Sequence, residues 1–297
     1  RRSAVLMRWS AIAVMVLLVG CGVPNLDVEW MTADQIEGAL AVEIDALPAE
    51  PRAVDGPLRV VSFNVEYGAE TEAIAQALQR GAVADADVIL VQEIEAYPGE
   101  NGSRTARIAD LLGMAYVYAP ARKEGEGTHG LAVLSRSDIR NVRVMTLPDF
   151  QTVVRDRRRI ALAVEVEGID VVSIHLDLQL GAGERVQQLL AATSGLGEQA
   201  IIGGDLNTNP YAWIDVVPVV PIGAVSELEV PALVDDAMAD AGFPANTAGS
   251  GPTHQSPAGE LRLDSVYARG FEVDDAGVSR DSELSDHWPV WVQLRPL

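Results

Sequence analysis

Cysteine and lysine each occur once in this 297-residue sequence, as Cys21 and Lys123. A lone cysteine excludes any internal disulfide. Positive charge therefore rests on arginine, and basic residues are few: Lys and Arg total 22 against 43 Asp and Glu, a formal net charge of −21. Such a chain repels polyanions at long range, which argues against sequence-independent nucleic-acid binding unless a local basic groove overrides the field. Aromatic residues are only 5% of the chain, and no basic stretch interleaves with them as a duplex-binding groove requires. The apolar run from Ala11 to Val19 is too short to span a bilayer. There is no internal repeat and no sustained low-complexity tract. With 48% hydrophobic residues, the chain can still bury a substantial core, and its length fits one large α/β domain or two small ones.

The first 21 residues have the layout of a secretion signal. Arg1, Arg2 and Arg8 precede the apolar run, which ends in Leu18-Val19-Gly20-Cys21, and Met7 fits the start of the leader. The ending resembles a bacterial lipobox, in which the cysteine is lipidated and becomes the mature N-terminus. The expectation is an extracytoplasmic protein, lipid-anchored to a bacterial membrane through Cys21; an ordinary cleaved signal with an incidental cysteine is the alternative. Residues 22–57 read as an acidic tether. Thr32-Ala33-Asp34-Gln35 has the form of a capping box, and Ile36, Leu40, Ile44 and Leu47 follow at helical spacing. This predicts one amphipathic helix that ends at Pro48 and packs on the domain.

From Leu58 to the C-terminus, apolar runs and amphipathic stretches alternate. Strands are expected at 58–65, 86–92, 114–118, 131–135, 142–147, 160–166, 171–175, 200–204, 261–268, 271–273 and 288–294, with helices at 70–79, 104–112 and 184–196. The consecutive strands between 131 and 175 imply antiparallel pairing and exclude a simple doubly wound parallel sheet. Two packed mixed β-sheets with helices outside satisfy the pattern, in a single domain spanning 58–297.

Ionisable residues collect where apolar strands end. Ala200-Ile201-Ile202 leads into Gly203-Gly204-Asp205-Leu206-Asn207, and Ser285-Asp286-His287-Trp288-Pro289 precedes Val290-Trp291-Val292. Two buried strands bring Asp205, Asn207, Asp286 and His287 to one sheet edge. Carboxylates, an amide and an imidazole gathered there suit a hard cation and a phosphate.

The order Ser62-Phe63-Asn64, Val91-Gln92-Glu93, His175-Leu176-Asp177, Gly204-Asp205-Leu206-Asn207, Leu263-Asp264 and Ser285-Asp286-His287 resembles the endonuclease/exonuclease/phosphatase superfamily, also called deoxyribonuclease I-like. Each motif alone is weak; six in order across nearly the whole mature domain are specific. The resemblance implies an α/β four-layered sandwich and a hydrolase that cleaves phosphoester bonds with Mg2+, with Mn2+ or Ca2+ as alternatives. It implies Glu93 and Asp286 as metal carboxylates and Asn64 as a contact to metal or phosphate. By the same resemblance Asp205 would orient or deprotonate the attacking water and Asn207 would bond a phosphoryl oxygen. His287 would bond a nonbridging oxygen or move a proton, with Asp264 holding its other ring nitrogen, and His175 would protonate the leaving group or bind phosphate.

Other features carry less. Arg155 to Arg159 reads as a solvated turn before a strand, with a phosphate contact as the alternative. The apolar stretch from Tyr211 to Val234 reads as a loop packed across a sheet edge, or else as a lid or membrane-contacting loop. Glu95 reads as a solvent-facing strand-end acid, His254 as an exposed loop histidine, and His129 is left between a substrate contact and no role. The expected partner is a phosphorylated substrate of unassigned class, with nucleic acid entering only as substrate, and the chain is read as a monomer. A binding module that keeps the fold without catalysis is the rival; the intact set of motifs argues against it.

Overall fold

A computed structural model describes residues 28–52, 56–150, 158–209, 212–214, 217–219, 229–256 and 259–297. The leader, its Cys21, and half of the apolar stretch 211–234 lie outside the described residues. No described helix is long and apolar enough to cross a membrane.

In chain order the strands are β1 (Met31–Thr32), β2 (Glu43–Asp45), β3 (Leu58–Tyr67), β4 (Val88–Ala96), β5 (Ala115–Glu124), β6 (Gly127–Ser135), β7 (Ile139–Thr146), β8 (Ile160–Val166), β9 (Ile169–His175) and β10 (Ala200–Asp205). They continue as β11 (Ala212–Ile214), β12 (Val217–Val219), β13 (Ala245–Asn246), β14 (His254–Ser256), β15 (Gly259–Leu261), β16 (Asp264–Arg269), β17 (Phe271–Val278) and β18 (Val290–Pro296). The α-helices are α1 (Thr71–Leu78), α2 (Arg104–Leu112), α3 (Ala182–Ala192) and α4 (Val230–Asp240).

Two seven-stranded mixed sheets form the centre, ordered β17-β18-β3-β4-β6-β5-β2 and β1-β7-β8-β9-β10-β16-β13. Alternation along each strand decides the layering. On β3, Leu58 and Val60 point between the sheets, while Val61, Phe63 and Val65 point outward to Ile74 and Leu78 of α1 and Ile108 and Leu112 of α2. On the second sheet Leu162, Val171 and Ile201 face inward, and Ala163, Val172 and Ile202 face outward to Leu189 of α3 and Val234 of α4. Helix, sheet, sheet and helix are thus four layers around three apolar clusters, as expected. Each fully buried aliphatic side chain contributes roughly 1.5–3 kcal/mol, so these clusters, rather than the loops, fix the position of the strand ends.

Each sheet holds one parallel pair, β3 with β4 and β9 with β10. Their carboxyl ends open at a common rim. β16 and β18 run antiparallel to β10 and β3 and bring their amino ends to that rim. The sheets come close below it. A Cβ on Gly203 would lie 2.9 Å from Val266 Cγ2 and 3.1 Å from Leu90 Cδ1, and one on Gly204 (φ +153°) 1.8 Å from the Ile174 carbonyl oxygen. The two glycines before Asp205 are therefore a packing requirement within β10.

The amphipathic helix expected within 36–47 is not there. Short 3-10 turns occupy Ala33–Gln35 and Gly38–Leu40, and β2 follows. Gln35 does accept a hydrogen bond from the Thr32 backbone N–H at 2.8 Å, but Gly38 turns the chain at φ +76°. β1 then adds to β7 and β2 to β5, at the edges of both sheets. Backbone pairing at two open sheet edges outweighs a short amphipathic pattern, and Ile44 and Leu47 stay exposed. The described part of 22–57 is accordingly built into the sandwich instead of hanging from it.

Candidate active site

Register sets the catalytic row. On adjacent strands Asp205 pairs with His175 on one side and Asp264 on the other, so these three share one rung at the end of the second sheet. Asn64 reaches across from the first sheet and donates from Nδ2 to Asp205 Oδ2 at 3.0 Å. One rung deeper, Ser62, Gln92 and Ser173, all buried, link the sheets through contacts of 3.3 Å. The interior changes from apolar to polar over a single rung, so the rim begins with satisfied groups beneath it.

Glu93 is aimed by a distortion. It takes φ +58° inside β4, and the β4–β6 register shifts between Val91 and Ile94. Val91 and Ile94 both pack outward, which leaves Gln92 and Glu93 on the inner side. A left-handed glutamate costs about 1–3 kcal/mol, and the bulge places its Oε1 3.7 Å from His175 Nε2. The shifted parity also corrects the reading of Glu95. It is buried at 6% exposure, pairs with Arg104 at 3.2 Å, accepts from the Tyr97 hydroxyl at 3.0 Å, and sits 3.6 Å from His129 Nδ1.

Asn207 also takes a left-handed conformation, φ +49°, which asparagine tolerates better than most residues. Its N–H donates to Asp205 Oδ1 at 2.9 Å and its Nδ2 to the Leu176 carbonyl at 2.9 Å. Asp205 is thus held at both oxygens.

His287 Nδ1 lies 2.7 Å from Asp264 Oδ2. Thr253 Oγ1 donates to that same oxygen at 2.6 Å while accepting the N–H groups of Leu263 and Asp264. Arg262 turns instead to Asp235. Thr253 carries no role in the sequence reading; its hydroxyl fixes the orientation of Asp264. Ser285 Oγ donates to the Asn64 carbonyl at 2.8 Å and accepts the His287 N–H, which fastens the Asp286-His287 loop to β3.

His254 is not an exposed loop residue. It lies on β14, contacts Asp286 Oδ2 at 3.2 Å through Nε2, and meets the His287 ring edge-on at 4.6 Å between centroids. Arg159, expected in a solvated turn, is buried at 8% exposure beside His175 and Asp177. Arg155 and Arg157 lie outside the described residues.

Electrostatics separate the roles. Burial pushes Asp205 up to about 6; His287 pulls it down, and the Asp264 and Glu93 carboxylates raise it further. Burial alone lowers His287, but the charges of Asp264 and Asp205 outweigh it and carry this imidazole up to about 10. His175 is held well below its ordinary value by burial and then by the Arg159 charge. The rim therefore holds one imidazolium, one neutral imidazole and a carboxylate that can exchange a proton.

Among the described residues, Glu93, His175 and Asp205 form one set of donors within 4.8 Å of one another, and His254, Asp286 and His287 form another. The two carboxylates read as metal ligands, Glu93 and Asp286, stand in different sets with Asp205 and His287 between them. Both act on the Tyr67 phenol, which is raised first by the Glu93 charge and also by Asp286; they belong to the same end of the molecule. Asn64 has both ends of its amide engaged, Nδ2 on Asp205 and Oδ1 on the Glu66 N–H at 3.1 Å.

Residues 61–287 match the model of the endonuclease/exonuclease/phosphatase family. Among solved structures, the fold is similar to an endonuclease/exonuclease/phosphatase from Beutenbergia cavernae, with 22% identity and a TM-score of 0.61 over 82% of this chain and 72% of that one. A mannosyl-6-phosphatase from Bacteroides thetaiotaomicron shares 19% identity at a TM-score of 0.54, over 80% of this chain and 99% of that one. A 3'-5' exonuclease from Neisseria meningitidis shares 16% identity at 0.55, over 80% and 100% respectively. Comparison with curated proteins gives no match. With the family model covering most of the chain and the rim carrying all six motifs, this protein belongs to the endonuclease/exonuclease/phosphatase family and is an enzyme of the phosphoesterase type.

Proposed function

We propose that this protein hydrolyses a phosphoester by attack of water on phosphorus, with a divalent cation at the Glu93 side of the rim. The observation that carries the reading is the convergence of Asn64, Glu93, His175, Asp205, Asp264 and His287, from six separate strands and loops, through contacts of 3.8 Å or less. In the set at the Glu93 end two carboxylates, Glu93 and Asp205, outnumber the one imidazole, which suits Mg2+, Mn2+ or Ca2+. Asp205 is raised first by burial and then, against the pull of His287, by the Asp264 and Glu93 carboxylates; a cation beside Glu93 would offset both effects. Glu93 is the principal ligand in this reading, and Asp286 the ligand on the far side of His287. When bound, the cation polarises the phosphoryl oxygen and neutralises developing charge.

The protein's own groups do the rest. Asp205 accepts a proton from the attacking water, and Asn64 and the Asn207 N–H hold the carboxylate in place for it. The His287 imidazolium, fixed by Asp264 and Thr253, and the Asn207 amide bond nonbridging oxygens as charge builds on them. His175, neutral, offers a hydrogen bond rather than a charge. The P–O bond to the alcohol breaks as the bond to water forms; the departing alkoxide takes up a proton from solvent, and Asp205 returns the proton it accepted to solvent, so one water is consumed. The acidity of the chain favours a small phosphorylated substrate over duplex DNA; the fold, shared with a sugar phosphatase and with a 3'-5' exonuclease, does not choose between them. A panel of DNA, RNA, sphingomyelin, phosphoinositide and sugar phosphates, each with Mg2+ and with chelator, tests this. Turnover on at least one, lost in chelator, is expected; no turnover on any would move the protein to the binding-module class.

We also propose that the mature chain is tethered to a bacterial membrane by a lipid on Cys21, a reading supported by the leader pattern. Expressed in a bacterial host, the wild type should sediment with membranes and Cys21→Ala should not. Equal membrane association of both would remove the lipid from the picture.

A further inference from the structure

A small cavity opens beside His175 and is lined by Arg122, His129 and Arg159 over a floor of Leu131 and Ile160. Three basic side chains together are notable in a chain of net charge −21. Two come from one hairpin: Arg122 and His129 are cross-strand partners on β5 and β6, just after a register shift between Pro120 and Arg122. Arg122 pairs with Glu124 at 3.3 Å and His129 neighbours Glu95 at 3.6 Å. Arg159 is different. It is over nine-tenths buried, its Nε is buried with no hydrogen-bond acceptor among the described residues, and the one carboxylate it pairs with among them, Asp177 Oδ2, stands 3.7 Å away, beyond hydrogen-bond reach. A buried guanidinium so loosely matched is costly unless an anion completes it.

We propose that Arg159, with Arg122 and His129 beside it, forms a subsite for an anionic oxygen of the substrate, and that the substrate is a phosphomonoester. The inference rests on the phosphoesterase reading and refines its substrate class. A monoester carries three nonbridging oxygens and a second negative charge; a diester spends that third oxygen on another carbon arm. A narrow cavity with an apolar floor and a planar cationic fork accepts an oxygen atom but has no room for a sugar or nucleoside arm.

The test compares kcat/KM for p-nitrophenyl phosphate and bis-p-nitrophenyl phosphate, with Mg2+, in the wild type, Arg159→Gln and Arg122→Gln. The wild type is expected to prefer the monoester. Arg159→Gln should lower monoester turnover by roughly 10- to 100-fold, the range of one charge-assisted hydrogen bond, and diester turnover by much less. Inhibition by inorganic phosphate should weaken in step. If Arg159→Gln does not melt cooperatively, Arg122→Gln, at the cavity mouth, carries the same comparison with a smaller expected loss. Equal losses on both esters, no loss on either, or a wild type that prefers the diester overturns the subsite while leaving the phosphoesterase reading intact. A wild type that hydrolyses neither ester overturns that reading itself.

Discussion

Asp205→Asn is expected to lower kcat by about 10²–10⁴-fold, the range for removing a positioned general base, with little change in KM. The substitution is nearly isosteric. Asn207 N–H can still donate to an amide oxygen where it now reaches Asp205 Oδ1 at 2.9 Å, so the loop keeps its anchor, while the bond from Asn64 Nδ2 to Oδ2 and the proton acceptor are lost. The pH dependence has a definite sign. The carboxylate is the active form, and in the metal-free protein its proton affinity lies near 6, so activity falls as pH drops through that value; a bound cation moves the limb lower. The acidic limb of kcat/KM should therefore lie at or below about 6 in the wild type and vanish in Asp205→Asn. Stability runs the other way. A carboxylate whose folded pKa is raised from 3.8 loses stability as pH rises from about 4 to 6, and that loss persists above. At pH 8 without metal, Asp205→Asn should melt at or above the wild-type temperature, which separates lost chemistry from lost fold. A variant that keeps more than about a tenth of wild-type kcat would remove Asp205 from the role of base.

Much of this site was legible because its residues sit where apolar runs stop. Val91-Gln92-Glu93, Ile174-His175 and Ile202-Gly203-Gly204-Asp205 each announce a buried strand and the polar group at its end, and the sheets gather those ends because β3–β4 and β9–β10 are parallel pairs. The misreadings have physical causes. Glu95 reads as a solvent-facing strand-end acid because it lies past the apolar run, but β4 continues to Ala96 and a bulge, which has no sequence mark here, turns Glu95 inward. Arg159 sits in a run of three arginines that resembles any solvated turn; only the fold reveals that Arg158 reaches the Ala121 carbonyl and Thr146 while Arg159 goes inside. His254 and Thr253 lie in one short segment with no periodicity, and their roles come from Asp286 and Asp264, which are remote or unaligned in sequence. The lost helix at 36–47 shows the opposite failure, where periodicity was present but open sheet edges offered the backbone more.

Glu93→Gln should abolish most activity for a reason distinct from Asp205→Asn: it removes the hold on the cation. Glu93 adopts a strained left-handed backbone that has no evident structural benefit, its side chain being one-quarter exposed and its nearest partner a neutral histidine at 3.7 Å. Strain kept at such a position is explained if the carboxylate binds something absent from the chain itself. Glutamine keeps the size and the fold but loses the charge that a hard cation requires. Asp286, half-exposed and pulled down by its hydrogen bond from His254, should matter less on its own.

The most direct test is calorimetric titration of Mn2+ into metal-free wild type, Glu93→Gln and Asp286→Asn, with melting curves to show that each is folded. Saturable binding by the wild type, weakened at least about tenfold in Glu93→Gln and less in Asp286→Asn, is the expected result. Binding by Glu93→Gln as tight as that of the wild type, or no binding by the wild type at all, would contradict a cation centre at this rim.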